Sequence, residues 1–261
     1  MFLNRIKEMF RYCLSDTSRN LSVWWLLFAG MIYIVSNWPN LVAAKLYNLN
    51  IAEFFLVTFS NQYYFLLILF PLLFIFLLRL DWAPSISILS REQKFSSYLK
   101  ARILTLSLSL VMILFFHILL TFLMGVGLMG TTGTYLTGYA YFDEILQLFS
   151  SRFSSPYVAV CLVLLNYLLG LVCVSSIVGV ILIYFPRKIR VASLVVLYLI
   201  IFFGVQRSAM WNLEPFFISN YVLLSNAITT DLFPGSIVVM LVITILVLSF
   251  VCKRWWKAKS W

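Results

Sequence analysis

The nineteen Lys and Arg residues of this 261-residue chain are sorted onto alternate polar segments. Six apolar runs, 21–37, 62–78, 103–128, 157–185, 191–206 and 235–252, separate seven polar segments. In chain order these hold four, one, five, one, three, one and four basic residues, so sixteen of nineteen fall on every second segment. Excess Lys and Arg marks cytoplasmic loops. The pattern predicts an all-α integral membrane fold of six transmembrane helices, with both termini in the cytoplasm. A span needs roughly 20 apolar residues to cross about 30 Å of hydrocarbon. The fifth run is short by that measure.

Composition agrees. The chain is 63% hydrophobic and 11% charged, against about half and a quarter in soluble domains. The spans use nearly all residues, so 1–261 reads as a single transmembrane domain. The net charge of +10 does not point to nucleic acid. Its basic residues flank apolar runs, where they meet anionic lipid headgroups. The first run follows a basic stretch and ends at no small-residue cleavage site, so it reads as a retained span. A lack of targeting segments suits a bacterial plasma membrane. All eight Trp residues sit near predicted span boundaries, the depth at which an apolar ring with one N–H is best solvated.

The segment 40–61 is a candidate extra span. Lys45, Asn48, Asn50 and Glu53 interrupt it, and buried charge is costly in lipid. Counting it would also invert the side of every later loop. It is therefore expected along the outer surface. Cys13, Cys161, Cys173 and Cys252 form neither a disulfide framework nor a metal spacing and read as small apolar fillers.

Two cytoplasmic segments stand out. In 1–19, Phe2, Leu3, Ile6, Met9, Phe10, Cys13 and Leu14 share one helical face, with Arg5, Lys7 and Arg11 opposite. This predicts an amphipathic helix lying in the headgroup plane. After the second span, Ser90 followed by Gln93 forms a capping box. A short polar helix over 90–102 should lead into the third span, with Phe95, Tyr98, Leu99 and Arg102 on one face and Arg91, Lys94 and Lys100 adding charge.

This layout resembles the permease subunits of type-2 ABC exporters. The resemblance covers the whole chain in topology but only about a dozen residues in motif. Arg91, Ser96, Tyr98 and Lys100 approximate that family's loop after the second span; its usual Gly is replaced by Glu92 and Gln93. It implies that 1–19 is an elbow helix. It also implies that 90–102 is a coupling helix, through which Arg91, Lys94, Phe95, Tyr98, Leu99 and Arg102 engage a cytoplasmic ATP-binding subunit. A second permease copy or paralogue would complete the assembly. The apolar stretch in 207–234, too short to cross, then corresponds to the family's extracellular re-entrant segment.

Other motifs fail on chemistry. Gly125-Val-Gly-Leu-Met-Gly130 closes a membrane helix and lacks the strand that a dinucleotide fingerprint needs. Leu89-Ser-Arg-Glu-Gln93 has lost the glycines of the ABC signature, and the chain has no phosphate-binding Gly-x-x-x-x-Gly-Lys-Ser/Thr loop. ATP and Mg are thus expected only in the partner; this chain has no cofactor of its own and is not an enzyme. His117 is the single histidine and reads as an interhelical hydrogen-bonding group. None of the six runs contains Asp, Glu, Lys or Arg, so energy for uphill transport would come from outside the membrane. Asn166, Ser175, Ser176 and Gly179 in the fourth span, with His117, are candidates for a cargo path or dimer contact. The expected cargo is a hydrophobic or amphipathic peptide of antimicrobial type, ahead of drugs or lipids. The alternatives are a stand-alone carrier or channel not powered by ATP, and a membrane-embedded scaffold or enzyme.

Overall fold

The computed structural model describes Ser15 and residues 23–79, 95–135, 143–185, 187–206 and 217–258. It is mostly helical and holds no strand among the described residues. The helices are α1 Val23–Leu46, α2 Ile51–Phe59 and α3. The last is built from Gln62–Tyr64, a π-helical turn at Phe65–Leu69 and Phe70–Arg79. Then follow α4 Phe95–Gly125, α5 Asp143–Arg152, α6 Pro156–Tyr184, α7 Arg187–Gln206, α8 Ser219–Val222, α9 Leu224–Thr229 and α10 Gly235–Ala258.

The central element is α6, which packs against α2 to α5 and α7 to α10. Its sequence is apolar all round, as a core helix requires. Its buried positions Ala159, Val163, Tyr167, Leu171, Val174, Val178 and Leu182 face the surrounding bundle. The outer helices are two-faced in an unusual sense. On α1, Ala29, Tyr33, Asn37, Leu41 and Ala44 are buried, while Phe28, Met31, Val35, Trp38 and Val42 form an exposed apolar stripe. Similar outward stripes run along α4, α7 and α10, for example Phe115, Leu119 and Phe122, or Val238, Leu241 and Ile245. Water would leave these faces unpaid for, whereas a lipid surround suits them.

Among the described residues, three helical stretches are long and apolar enough to cross a membrane: Leu26–Leu46, Leu108–Gly125 and Pro156–Leu182. The pair Ile51–Phe59 and Gln62–Ile75, bent by 44°, makes a fourth if taken as one span. Ile189–Gly204 and Gly235–Val247 are shorter apolar helices.

The segment 40–61 departs from the expectation of a surface-lying strip. Residues 40–46 finish α1, which runs through Pro39. It ends in a Schellman motif: Leu49 N–H donates to Ala44 C=O at 2.9 Å and Asn48 N–H to Lys45 C=O at 3.3 Å. Asn48 takes the left-handed position at φ 55°, where asparagine serves in place of glycine. Then α2 is buried along most of its length. Asn50 and Glu53, which looked like costs, form its capping box: Asn50 Oδ1 accepts from Glu53 N–H at 2.9 Å, and Glu53 Oε2 from Asn50 N–H at 3.0 Å. Taken with α3 as one stretch bent by 44°, α2 adds no further candidate span. It does bring a fully buried carboxylate, Glu53, into a bent apolar stretch that the apolar runs alone left uncharged.

The three weakly basic connections meet at one end of the bundle. Ile51 N–H donates to Gly130 C=O at 3.0 Å, and Asn50 Nδ2 to Thr134 C=O at 3.0 Å. Gln62 reaches Asn226, Arg152 pairs with Asp231 at 2.8 Å, and the Phe153 and Phe233 rings pack edge to face.

Candidate functional site

Two of the residues singled out from sequence anchor buried polar clusters. On α4, His117 stacks on the Tyr33 ring of α1, with centroids 4.6 Å apart and planes 9° from parallel. Its Nε2 is hydrogen-bonded to the Tyr64 hydroxyl of α3 at 2.9 Å. The Tyr33 and Tyr64 rings meet edge to face at 5.0 Å. One turn on, Thr121 Oγ1 donates to His117 C=O and is hydrogen-bonded to the Tyr33 hydroxyl. All four side chains are buried. His117 is thus an interhelical fastener, although its Nδ1 has no partner. It also lines a cavity of about 10 Å³ between α1, α3, α4 and α6, otherwise walled by Leu26, Leu69, Leu110, Ile113 and other apolar side chains. That is room for about one water molecule.

The second cluster is on α6. Asn166 Nδ2 donates to the carbonyls of both Tyr221 and Val222, each at 2.8 Å. Its Oδ1 faces the Ser236 hydroxyl at 3.4 Å. One helical turn on, Gly170 presents bare backbone to Val222. The carbonyls of a four-residue helix have no intrahelical partners, and Asn166 supplies them. So α8 docks on α6 through a polar fork and an adjacent notch. The stretch expected to be re-entrant is buried here, with Tyr221, Val222, Leu223, Leu224 and Ala227 all covered.

Of the other α6 candidates, Ser176 bonds back to Val172 C=O, Ser175 is buried with a free hydroxyl, and Gly179 is buried. His117 and the Asn166 group are not brought into one site. Phe95, Tyr98, Leu99 and Arg102 lie on the first two turns of α4, which continues unbroken into the apolar stretch. Arg91 and Lys94, and the elbow residues Phe2, Ile6, Met9 and Phe10, lie outside the described residues. Among those described, no group of three or more His, Cys, Asp or Glu is placed to hold a metal ion.

Sequence reasoning missed the junction at the α2–α3 break. There Gln62 Nε2 donates to Asn226 Oδ1 of α9 at 2.8 Å. In the two segments that it joins, Thr58 Oγ1, Ser60 Oγ, Ser225 Oγ and Asn226 Nδ2 are buried and unpaired. The available signal was the cluster Thr58-Phe-Ser-Asn-Gln62 between two apolar stretches, a polar break in a span.

No protein-family model, curated protein or solved structure matches the chain.

Proposed function

We propose that this chain is the membrane-spanning permease subunit of an ATP-driven exporter of the type-2 ABC class. It has six spans and both termini in the cytoplasm of a bacterial plasma membrane. Cytoplasmic ATPase subunits bind the 90–102 helix, and a second permease copy or paralogue completes the cargo path. The cargo is a hydrophobic or amphipathic peptide. ATP-driven closure of the ATPases moves the first turns of α4, and a rigid helix carries that movement into the bundle as a two-state rocking motion.

The observation that carries this reading is the gathering of the 47–61, 126–155 and 217–234 connections at one end. The alternation of basic residues demands that arrangement independently. The continuous helix from Phe95 to Gly125 adds a lever between the basic loop and the outer end.

Co-purification from native membrane tests it. A stoichiometric ATPase of roughly 25–35 kDa, the size of one domain of 200 to 300 residues, is expected. Tyr98→Ala with Leu99→Ala should leave insertion intact and uncouple ATP hydrolysis from transport. Unchanged coupling in the purified complex contradicts the assignment.

A stand-alone carrier is favoured by one observation, the broken span with buried polar groups at its break. Such breaks line substrate and ion sites in secondary transporters. That reading expects transport by this chain alone in liposomes without ATP.

A further inference from the structure

Pro71 removes one backbone donor from the middle of α3. In the π-helical turn just before it, the Phe70 N–H donates to the Phe65 C=O, five residues back. The next carbonyl, that of Leu66, has two backbone donors within helical reach: residue 70 in an α register and residue 71 in a π register. The first is used on Phe65. The second is proline, which has no N–H. Leu66 is 1% exposed, so water does not reach this carbonyl. Inside a bundle, a carbonyl freed at a helix irregularity is satisfied by a side chain of a neighbouring helix.

Here that side chain belongs to α7. The Tyr198 hydroxyl donates to the Leu66 C=O at 3.3 Å. The distance is long for an O–H···O bond, yet this is the donor the structure gives to that carbonyl. Otherwise α7 is a peripheral helix. It packs on α6, on α8 and on the π turn, and Val195, Val196, Leu199 and Ile200 are exposed along it. At the other edge of the turn stands Tyr64, two residues before Leu66, with its hydroxyl bonded to His117 Nε2 at 2.9 Å. A proline and a π turn are both causes of a bend in a helix. How this turn is closed therefore sets where Tyr64 sits.

We propose that Tyr198 stands in for the amide that Pro71 lacks, and that this contact couples α7 to the His117 cluster through α3. Tyr198 keeps the turn in its π register, and the turn keeps Tyr64 on His117. The groups against His117 come from α1, α3 and α4, and Leu171 of α6 shares its cavity. Tyr198 is thus a positioning residue that acts through α3. When α7 moves away, the Leu66 C=O loses its donor. The backbone donor in reach is the Phe70 N–H, and its transfer from Phe65 to Leu66 winds the turn tighter and rotates Tyr64 off His117. The coupling depends on neither the ATPase nor the cargo of the exporter reading.

The chain has one histidine, so isotope-labelled histidine gives a single imidazole reporter by magnetic resonance. The sample is the purified full-length protein in lipid nanodiscs. Tyr64→Phe marks the signal of an unbonded Nε2. Tyr198→Phe changes none of the contacts on His117 directly, yet should move the imidazole signal toward that mark. With Pro71→Ala, residue 71 regains an N–H, and Leu66 C=O has a backbone donor in either register. In that background Tyr198→Phe should leave the signal where Pro71→Ala alone puts it. The thermal midpoint should follow the same pattern, lowered by Tyr198→Phe when Pro71 is present and unchanged by it in the Pro71→Ala background. An imidazole signal that Tyr198→Phe does not move overturns the proposal. Equal movement in both backgrounds overturns it as well, because the hydroxyl then does not replace the proline's missing donor. Should Tyr198→Phe fail to insert, insertion restored by adding Pro71→Ala supports the assignment, and failure of both variants overturns it.

Discussion

Gly170 lies so close to Val222 that a Cβ at position 170 would come within 2.8 Å of the Val222 Cβ. The clash is with the branch point of a β-branched side chain, which moves only if the backbone of α8 moves. Gly170→Ala should therefore lift α8 from α6. The expected loss is about 1–3 kcal/mol, the usual cost of overpacking, read as a lower thermal midpoint of the purified protein. Gly127, with no neighbour near its missing Cβ but φ 78°, makes a contrasting control in which any cost comes from backbone strain.

Asn166 is the polar half of the same dock. Replacing it with Leu keeps the branched shape and heavy-atom count and removes both bonds to Tyr221 and Val222. The bonds that tie both carbonyls to α6 are then lost, a cost of about 1–3 kcal/mol. Asn166→Leu should lower the midpoint as Gly170→Ala does. The double variant should fall by less than the sum, because both changes release the same segment.

On the other side of the bundle, Tyr64→Phe leaves His117 Nε2 unpaired, and His117→Phe leaves the Tyr64 hydroxyl unpaired while retaining a ring against Tyr33. A double-mutant cycle should give a coupling of about 0.6–1.7 kcal/mol, the range for hydrogen bonds between membrane helices. A coupling near zero would make the contact one of packing alone.

Tyr135, in the connection after α4, has its phenol pushed up to about 12 from its ordinary 10 by burial, with the Glu53 carboxylate adding to it. The folded state therefore keeps this proton above pH 10 while the unfolded state releases it, so stability falls as pH rises from about 10 to 12. Tyr135→Phe should flatten that part of the alkaline melting profile. Glu53→Gln should move the phenol part of the way back toward 10, as seen by its ultraviolet ionisation spectrum.

The long helices were legible because apolar run length is a one-dimensional property. The stretch expected at 157–185 is α6, Pro156–Tyr184, and that at 235–252 lies inside α10, Gly235–Ala258. Capping and neighbours were less so. Asn50 and Glu53 look like interruptions when hydropathy is read alone, yet each satisfies a backbone donor of the other at the start of α2. Likewise, Asn166 one turn before Gly170 marks a face on α6 but not what fills it; Tyr221 and Val222, 55 and 56 residues away, could not be named from spacing. His117 reads in sequence as an interhelical bonding group and is bonded to Tyr64, but its stacking on Tyr33 depends on the rotation of α1, which no run length encodes.

The central claim is that the connections holding Lys45, Arg152 and Arg207 share one side of a membrane and the basic-rich segments the other. Asp231, exposed beside Arg152, and Lys94 represent the two sides. In a cysteine-free background, a membrane-impermeant maleimide applied to intact cells should label Asp231→Cys and spare Lys94→Cys until the membrane is permeabilised. Labelling of Lys94→Cys in intact cells, or protection of Asp231→Cys there, would contradict the account.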